Sequence, residues 1–130
     1  MNYLLDANAF LDLIKRRKTL IKGQYILDLT MYEVSNAIWK EVVLFKTLTK
    51  DEAVTLMNEI TNIVQKLNII RIQDDLDKIM EIAIKERLTF YDAAYLYFAK
   101  KYQLILVTND KKLYNAAKDK IKVLRSDEIN

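Results

Sequence analysis

Five short apolar runs alternate with segments of helical periodicity along this chain, and that alternation admits few folds. Strands are expected over residues 2–6, 24–28, 69–72, 104–108 and 121–124. Helices are expected over 7–16, 31–46, 50–66, 75–87, 90–102 and 111–118. Strands alternating with helices imply right-handed crossovers and a parallel α/β sheet with helices on both faces. The two consecutive helices at 31–46 and 50–66 form a helical hairpin inserted between strands. Apolar stripes are read at Val34, Ile38, Val42 and Phe45, at Val54, Met57, Val64 and Leu67, and at Leu76, Ile79, Met80, Ala83 and Ile84. With no linker, repeat or low-complexity tract, the 130 residues are expected to form a single domain, 1–130.

In open α/β sheets, ligands bind beyond the carboxyl ends of the strands, where the strand order reverses. Four carboxylates fall at such places. Asp6 ends the run Tyr3-Leu4-Leu5, and Asp110 follows Leu104-Ile105-Leu106-Val107-Thr108-Asn109. Glu33 and Asp92 lie in the opening turns of two helices. Acids converging in one place repel one another unless a cation neutralises them.

The absent residue types narrow the chemistry. The chain has no histidine and no cysteine, which excludes a Ser-His-Asp triad, a cysteine nucleophile and a nitrogen/sulfur zinc site. The single glycine, Gly23, excludes both a Walker A loop and a dinucleotide-binding glycine motif. Clustered carboxylates without nitrogen ligands suit hard cations, Mg²⁺ or Mn²⁺.

Each acid also has a simpler explanation. Thr30-Met31-Tyr32-Glu33 and Thr89-Phe90-Tyr91-Asp92 have the spacing of a helix capping box. Thr49-Lys50-Asp51-Glu52 has the same spacing and no proposed function, so the pattern alone is common here. Asp6 and Asp110 fit the N-caps of the helices after their strands. The coincidence of all four at strand ends and helix starts favours a metal site. Asp74, Asp75 and Asp77 read as solvated acids at a helix start. Asp12 and Asp28 read as pocket neighbours rather than ligands.

The net charge of +3 becomes +7 when those four acids are set aside. A basic body around an acidic pocket suits a polyanionic substrate. Lys15-Arg16-Arg17-Lys18 is the densest basic run, and Lys111-Lys112 adjoins Asp110. Either could hold a nucleic-acid backbone, although the first also suits a solvated helix end. Tyr91, Tyr95 and Tyr97 could stack bases, but at helical spacing they are read mainly as core, and Trp39 as packing or subunit interface. No apolar run is long enough to span a membrane, and the first residues lack the features of a signal peptide; a cytoplasmic location is expected.

Four segments together resemble the signature segments of PIN-domain ribonucleases: Leu4-Leu5-Asp6-Ala7-Asn8, Tyr32-Glu33-Val34, Tyr91-Asp92-Ala93-Ala94-Tyr95 and Val107-Thr108-Asn109-Asp110. Size and the Tyr-Asp-Ala-Ala-Tyr segment most resemble VapC-like toxins of toxin–antitoxin pairs. The resemblance implies a five-stranded parallel sheet in order 3-2-1-4-5 with Mg²⁺ or Mn²⁺ between strands 1 and 4. It implies Asp6, Glu33, Asp92 and Asp110 as the acidic quartet, with Asn8 and Thr108 as supporting polar residues. It further implies an endoribonuclease acting on RNA, an antitoxin partner and a homodimer.

Two rivals differ in class. A phosphoacceptor signalling domain also gathers acids at strand ends, but Ile121-Lys122-Val123-Leu124-Arg125 offers no lysine after its strand. A non-catalytic RNA- or protein-binding module of the same fold typically lacks one of the acids, and none is missing here.

Overall fold

The computed structural model describes residues 2–129. Its centre is a fully parallel five-stranded sheet built from β1 (Tyr3–Leu5), β2 (Tyr25–Leu27), β3 (Asn68–Ile70), β4 (Ile105–Val107) and β5 (Val123–Leu124). The order is β3-β2-β1-β4-β5, as expected. Leu4 pairs with both Tyr25 and Leu106, so the order reverses between β1 and β4.

Alternation along each strand divides the core in two. Leu4, Leu27 and Leu106 pack on one face beneath α4 (Leu76–Glu86), α5 (Phe90–Lys101) and α6 (Lys111–Ala117). Leu5, Ile26 and Val107 pack on the other beneath α1 (Ala7–Lys15), α2 (Thr30–Val43) and α3 (Lys50–Val64). The α2–α3 hairpin is the expected insertion. Helix α5 buries Ala93, Ala94, Tyr95, Leu96, Phe98 and Ala99, almost its whole circumference, which explains its weak amphipathic pattern.

Several boundaries and stripes differ from the sequence expectation. Helix α2 ends at Val43 rather than 46, because Lys46 takes a left-handed conformation (φ 54°) and Phe45 is left exposed. Helix α3 turns most of the expected stripe inward, Met57, Val64 and Leu67 packing against the core, but its one buried residue is Ile60, and Val54 faces out. In α4 only Ile79 and Ala83 are buried, and Leu76, Met80 and Ile84 are exposed. Asp75 is not solvated: it is buried and its Oδ2 accepts from Lys101 Nζ at 2.7 Å. The last described residues are anchored too, with Ser126 and Ile129 buried.

With one glycine and no proline, the chain leaves its helices through other residues. Arg17, Arg87 and Gln103 adopt left-handed φ of 55–56° just beyond α1, α4 and α5. No described helix is long and apolar enough to cross a membrane.

Candidate active site

The carboxyl ends of β1 and β4 deliver the first two acids. The Asp6 N–H donates to the Val107 carbonyl at 3.1 Å, which extends the ladder one residue beyond β1. The Asp6 Oδ1 then accepts from the Ala9 N–H at 2.9 Å and caps α1. The Asp110 Oδ1 accepts from the Leu113 N–H at 2.7 Å and caps α6. Both therefore do cap, using one oxygen each, and capping does not consume the second. Thr108, fully buried, accepts the Asp110 N–H at 3.0 Å and donates its own proton to the Asp6 carboxylate. The loop is clasped from outside as well: Asn109 Nδ2 donates to Ser126 Oγ at 2.7 Å, and the Ser126 N–H returns a bond to Asn109 Oδ1.

The helix acids behave differently from the capping pattern. Thr49 and Glu52 form the complete reciprocal box at the start of α3. At α5 only half of it forms: Thr89 Oγ1 accepts the Asp92 N–H at 3.2 Å. At α2 there is no side-chain cap. Thr30 Oγ1 instead accepts from the Leu27 N–H at 3.0 Å, and Glu33 accepts from the Tyr95 hydroxyl at 2.9 Å.

One cleft of about 410 Å³ is lined by all four acids, Asp6, Glu33, Asp92 and Asp110, together with Asn8. Lys15 and Lys40 also line it. Burial pushes the Asp6 carboxyl up to about 6 against the bonds from Thr108 and Ala9, and the nearby Asp92 and Glu33 charges push it the same way. Burial likewise raises Glu33, where the Tyr95 bond opposes and Asp92 adds. Asp92 is raised by burial and by Asp110, while Thr89 and the Lys112 ammonium pull it back. These carboxylates thus feel one another's charge. Among the described residues no three acids are grouped closely enough to hold one ion as they stand. The donor set still fits a hard divalent cation: it is all oxygen and mutually repelling, the ligand type that Mg²⁺ takes.

The basic residues divide. Lys15 lines the cleft, with its Nζ 2.6 Å from Glu41 Oε1. Arg16 is drawn away by Asp12 at 2.6 Å, and Arg17 and Lys18 line a separate hollow with Glu59 and Lys66. Lys111 and Lys112 are exposed at the start of α6 and do not line the cleft. Asp12 is held by Arg16 and Ser126, and Asp28 stands apart beyond β2; neither lines the cleft. Tyr91 is exposed, whereas Tyr95 is buried and lines the cleft.

Lys40 and Glu41 were not singled out from the sequence, and Tyr95 was read there as packing or base stacking rather than as a partner of Glu33. Helical spacing holds the signal: Glu33, Ala37, Lys40 and Glu41 follow the i, i+4, i+7, i+8 pattern of one face. Asp92 and Tyr95 are three apart on the same face of α5.

Known proteins resemble this chain in sequence and in fold. A family model described as the PIN domain matches residues 3–119. Exonuclease VapC9 of Pyrobaculum aerophilum is 33% identical over 126 residues, covering 95% of this chain and 91% of that protein. A crystal structure of a protein from Pyrobaculum aerophilum superposes with a TM-score of 0.82 at 30% identity, covering 99% of this chain and 92% of the other. A toxin–antitoxin complex from Klebsiella pneumoniae shares the fold, with a TM-score of 0.68 at 20% identity over 96% and 98% of the two chains.

Proposed function

The chain belongs to the PIN-domain family, and on that premise we propose that it is a metal-dependent endoribonuclease, the toxin of a toxin–antitoxin pair, with residues 1–130 working as one nuclease domain. The observation that carries the reading is the single cleft lined by Asp6, Glu33, Asp92 and Asp110 with two lysines at its side. Those four acids would hold Mg²⁺ or Mn²⁺. When bound, such an ion supplies Lewis acidity toward the phosphate and toward the attacking water.

The remaining roles fall to the chain's own groups. Thr108 keeps Asp6 oriented through its hydroxyl and fixes the Asp110 loop. Asn8, at the first turn of α1, orients water or phosphate at the cleft wall. Lys15 and Lys40 take the RNA backbone, with Lys112 close enough to reach the same substrate outside the cleft. Arg16 and Arg17 of the basic run, and Lys111, stand outside the cleft and take no phosphate beside the cut.

Two exposed apolar faces support the partners in this reading. One lies at the end of α2, with Trp39, Val43, Leu44 and Phe45, and Phe45 also lines the cleft. It suits an antitoxin segment entering the cleft. The other is the Leu76, Met80 and Ile84 stripe on α4, which suits a second copy in a homodimer. We place the activity in the cytoplasm.

The test is digestion of linear and covalently closed circular single-stranded RNA, and of the matching DNA, with Mg²⁺, Mn²⁺ or EDTA. Cutting of the circle in the presence of metal supports internal cleavage. Digestion of the linear form alone, from one end, overturns the endonuclease and matches the activity in the name of the VapC9 relative. DNA cut as readily as RNA overturns the substrate.

A further inference from the structure

Glu33 is carried by a helix on one face of the sheet, and Tyr95 is packed into the core of the other face. Their side chains meet over the carboxyl edge, where Tyr95 is 1% exposed. Four groups stand there in series. The Leu27 N–H lies 3.0 Å from Thr30 Oγ1, Thr30 Oγ1 lies 2.7 Å from Tyr95 Oη, and Tyr95 Oη lies 2.9 Å from Glu33 Oε1. A backbone N–H can only donate, so it takes an acceptor site on Thr30. The Thr30 proton is then free for Tyr95, and the Tyr95 proton for the Glu33 carboxylate. The two hydroxyls each donate once and accept once, and the direction is set by the Glu33 carboxylate, which can only accept.

We propose that Tyr95 is a positioning residue that holds the Glu33 carboxylate toward the cation site, with Thr30 aligning Tyr95 in turn. The inference rests on the metal-dependent reading of the cleft and extends it to two residues outside the acidic quartet. Without the Tyr95 hydroxyl, Glu33 keeps three freely turning side-chain bonds in an exposed-edge helix turn and must be ordered by the ion itself. Aligned hydrogen bonds polarise one another, so the last one is stronger than an isolated neutral bond. Groups that orient metal ligands typically change affinity by about 10–100-fold when removed.

Tyr95→Phe keeps the ring and removes only the donor. Thr30→Ser keeps the hydroxyl, and Thr30→Val removes it at similar volume. Each full-length variant is titrated with Mn²⁺ alone, without RNA, with free ion read by electron paramagnetic resonance. Melting in EDTA is recorded beside it. The expected result is Mn²⁺ affinity about 10-fold or more weaker in Tyr95→Phe, smaller weakening in Thr30→Val, and near-wild-type affinity in Thr30→Ser. A Tyr95→Phe protein that melts lower yet binds Mn²⁺ as wild type does has lost packing only, and the positioning role is overturned while the metal reading stands. A wild-type protein that takes up no Mn²⁺ overturns the metal reading itself, and the positioning role with it.

Discussion

The hydroxyl of Thr108 donates to the carboxylate of Asp6, a group only 5% exposed. That bond, and the one from Ala9, oppose burial without overcoming it, and the Asp6 carboxyl is left near 6 against an ordinary 3.8. In the metal-free protein the sign follows directly. As pH rises, the unfolded chain loses this proton before the folded one, so stability is full below about pH 4 and falls as pH rises through about 6. The loss is of order 3 kcal/mol. Asn at this position keeps the helix cap and removes the charge. Melting in EDTA should show Asp6→Asn more stable than wild type at pH 8 by about 1–3 kcal/mol, with the difference gone near pH 4. Equal stability at pH 8 counts against the charge frustration described for this cleft.

The two cleft lysines should be separable from the basic run. Each phosphate contact on single-stranded RNA contributes about 0.7 to the slope of log affinity against log salt. Fluorescence anisotropy with a labelled RNA should give a slope shallower by about 1.4 for Lys15→Ala with Lys40→Ala combined. Arg16→Ala, whose guanidinium is held by Asp12, should leave the slope unchanged. A larger effect from Arg16 than from the lysine pair would move the RNA path away from the cleft.

Arg87 and Gln103 are exposed residues holding left-handed backbone just past α4 and α5. Glycine adopts that conformation without the side-chain clash, although it also loosens the unfolded chain. Arg87→Gly and Gln103→Gly should each add about 0.5–1 kcal/mol in urea denaturation. Destabilisation by either would mean that the side chain contributes more than its backbone strain costs.

How much of this was legible in the sequence depended on what set each feature. The parallel sheet was, because Leu4-Leu5, Ile26-Leu27 and Leu106-Val107 each bury both faces, which only a sheet covered on both sides requires. The acids were legible by their position after β1 and β4 or in the helix turns that follow. Helix ends were legible to within one to three residues, the largest miss being at α2; with a single glycine and no proline, left-handed Arg17, Lys46, Arg87 and Gln103 stand at the stops, residues that carry no such signal. On α3 the reading held at Met57, Val64 and Leu67 and failed at Val54, which is as apolar as the buried Ile60, so that only tertiary packing decides between them. The Thr30–Tyr95–Glu33 series was invisible because it joins residues 62–65 positions apart. Its Thr30–Glu33 spacing matches a capping box that the structure does not form.

The toxin role makes its own demand. Induced expression of the wild-type chain should arrest bacterial growth, and Asp6→Asn expressed to the same level should not. Equal arrest by both forms would remove nuclease action as the cause.

The central claim is that the four acids of one cleft bind a divalent ion and use it to cut RNA. The most direct measurement is cleavage of end-labelled single-stranded RNA by wild type and Asp92→Asn in parallel, with Mg²⁺, Mn²⁺ or EDTA, on proteins matched for folding by circular dichroism. Cuts that require metal, and that fall by at least about 100-fold in Asp92→Asn, are predicted. Cutting that persists in EDTA, or that Asp92→Asn carries out as well as wild type, would contradict the account.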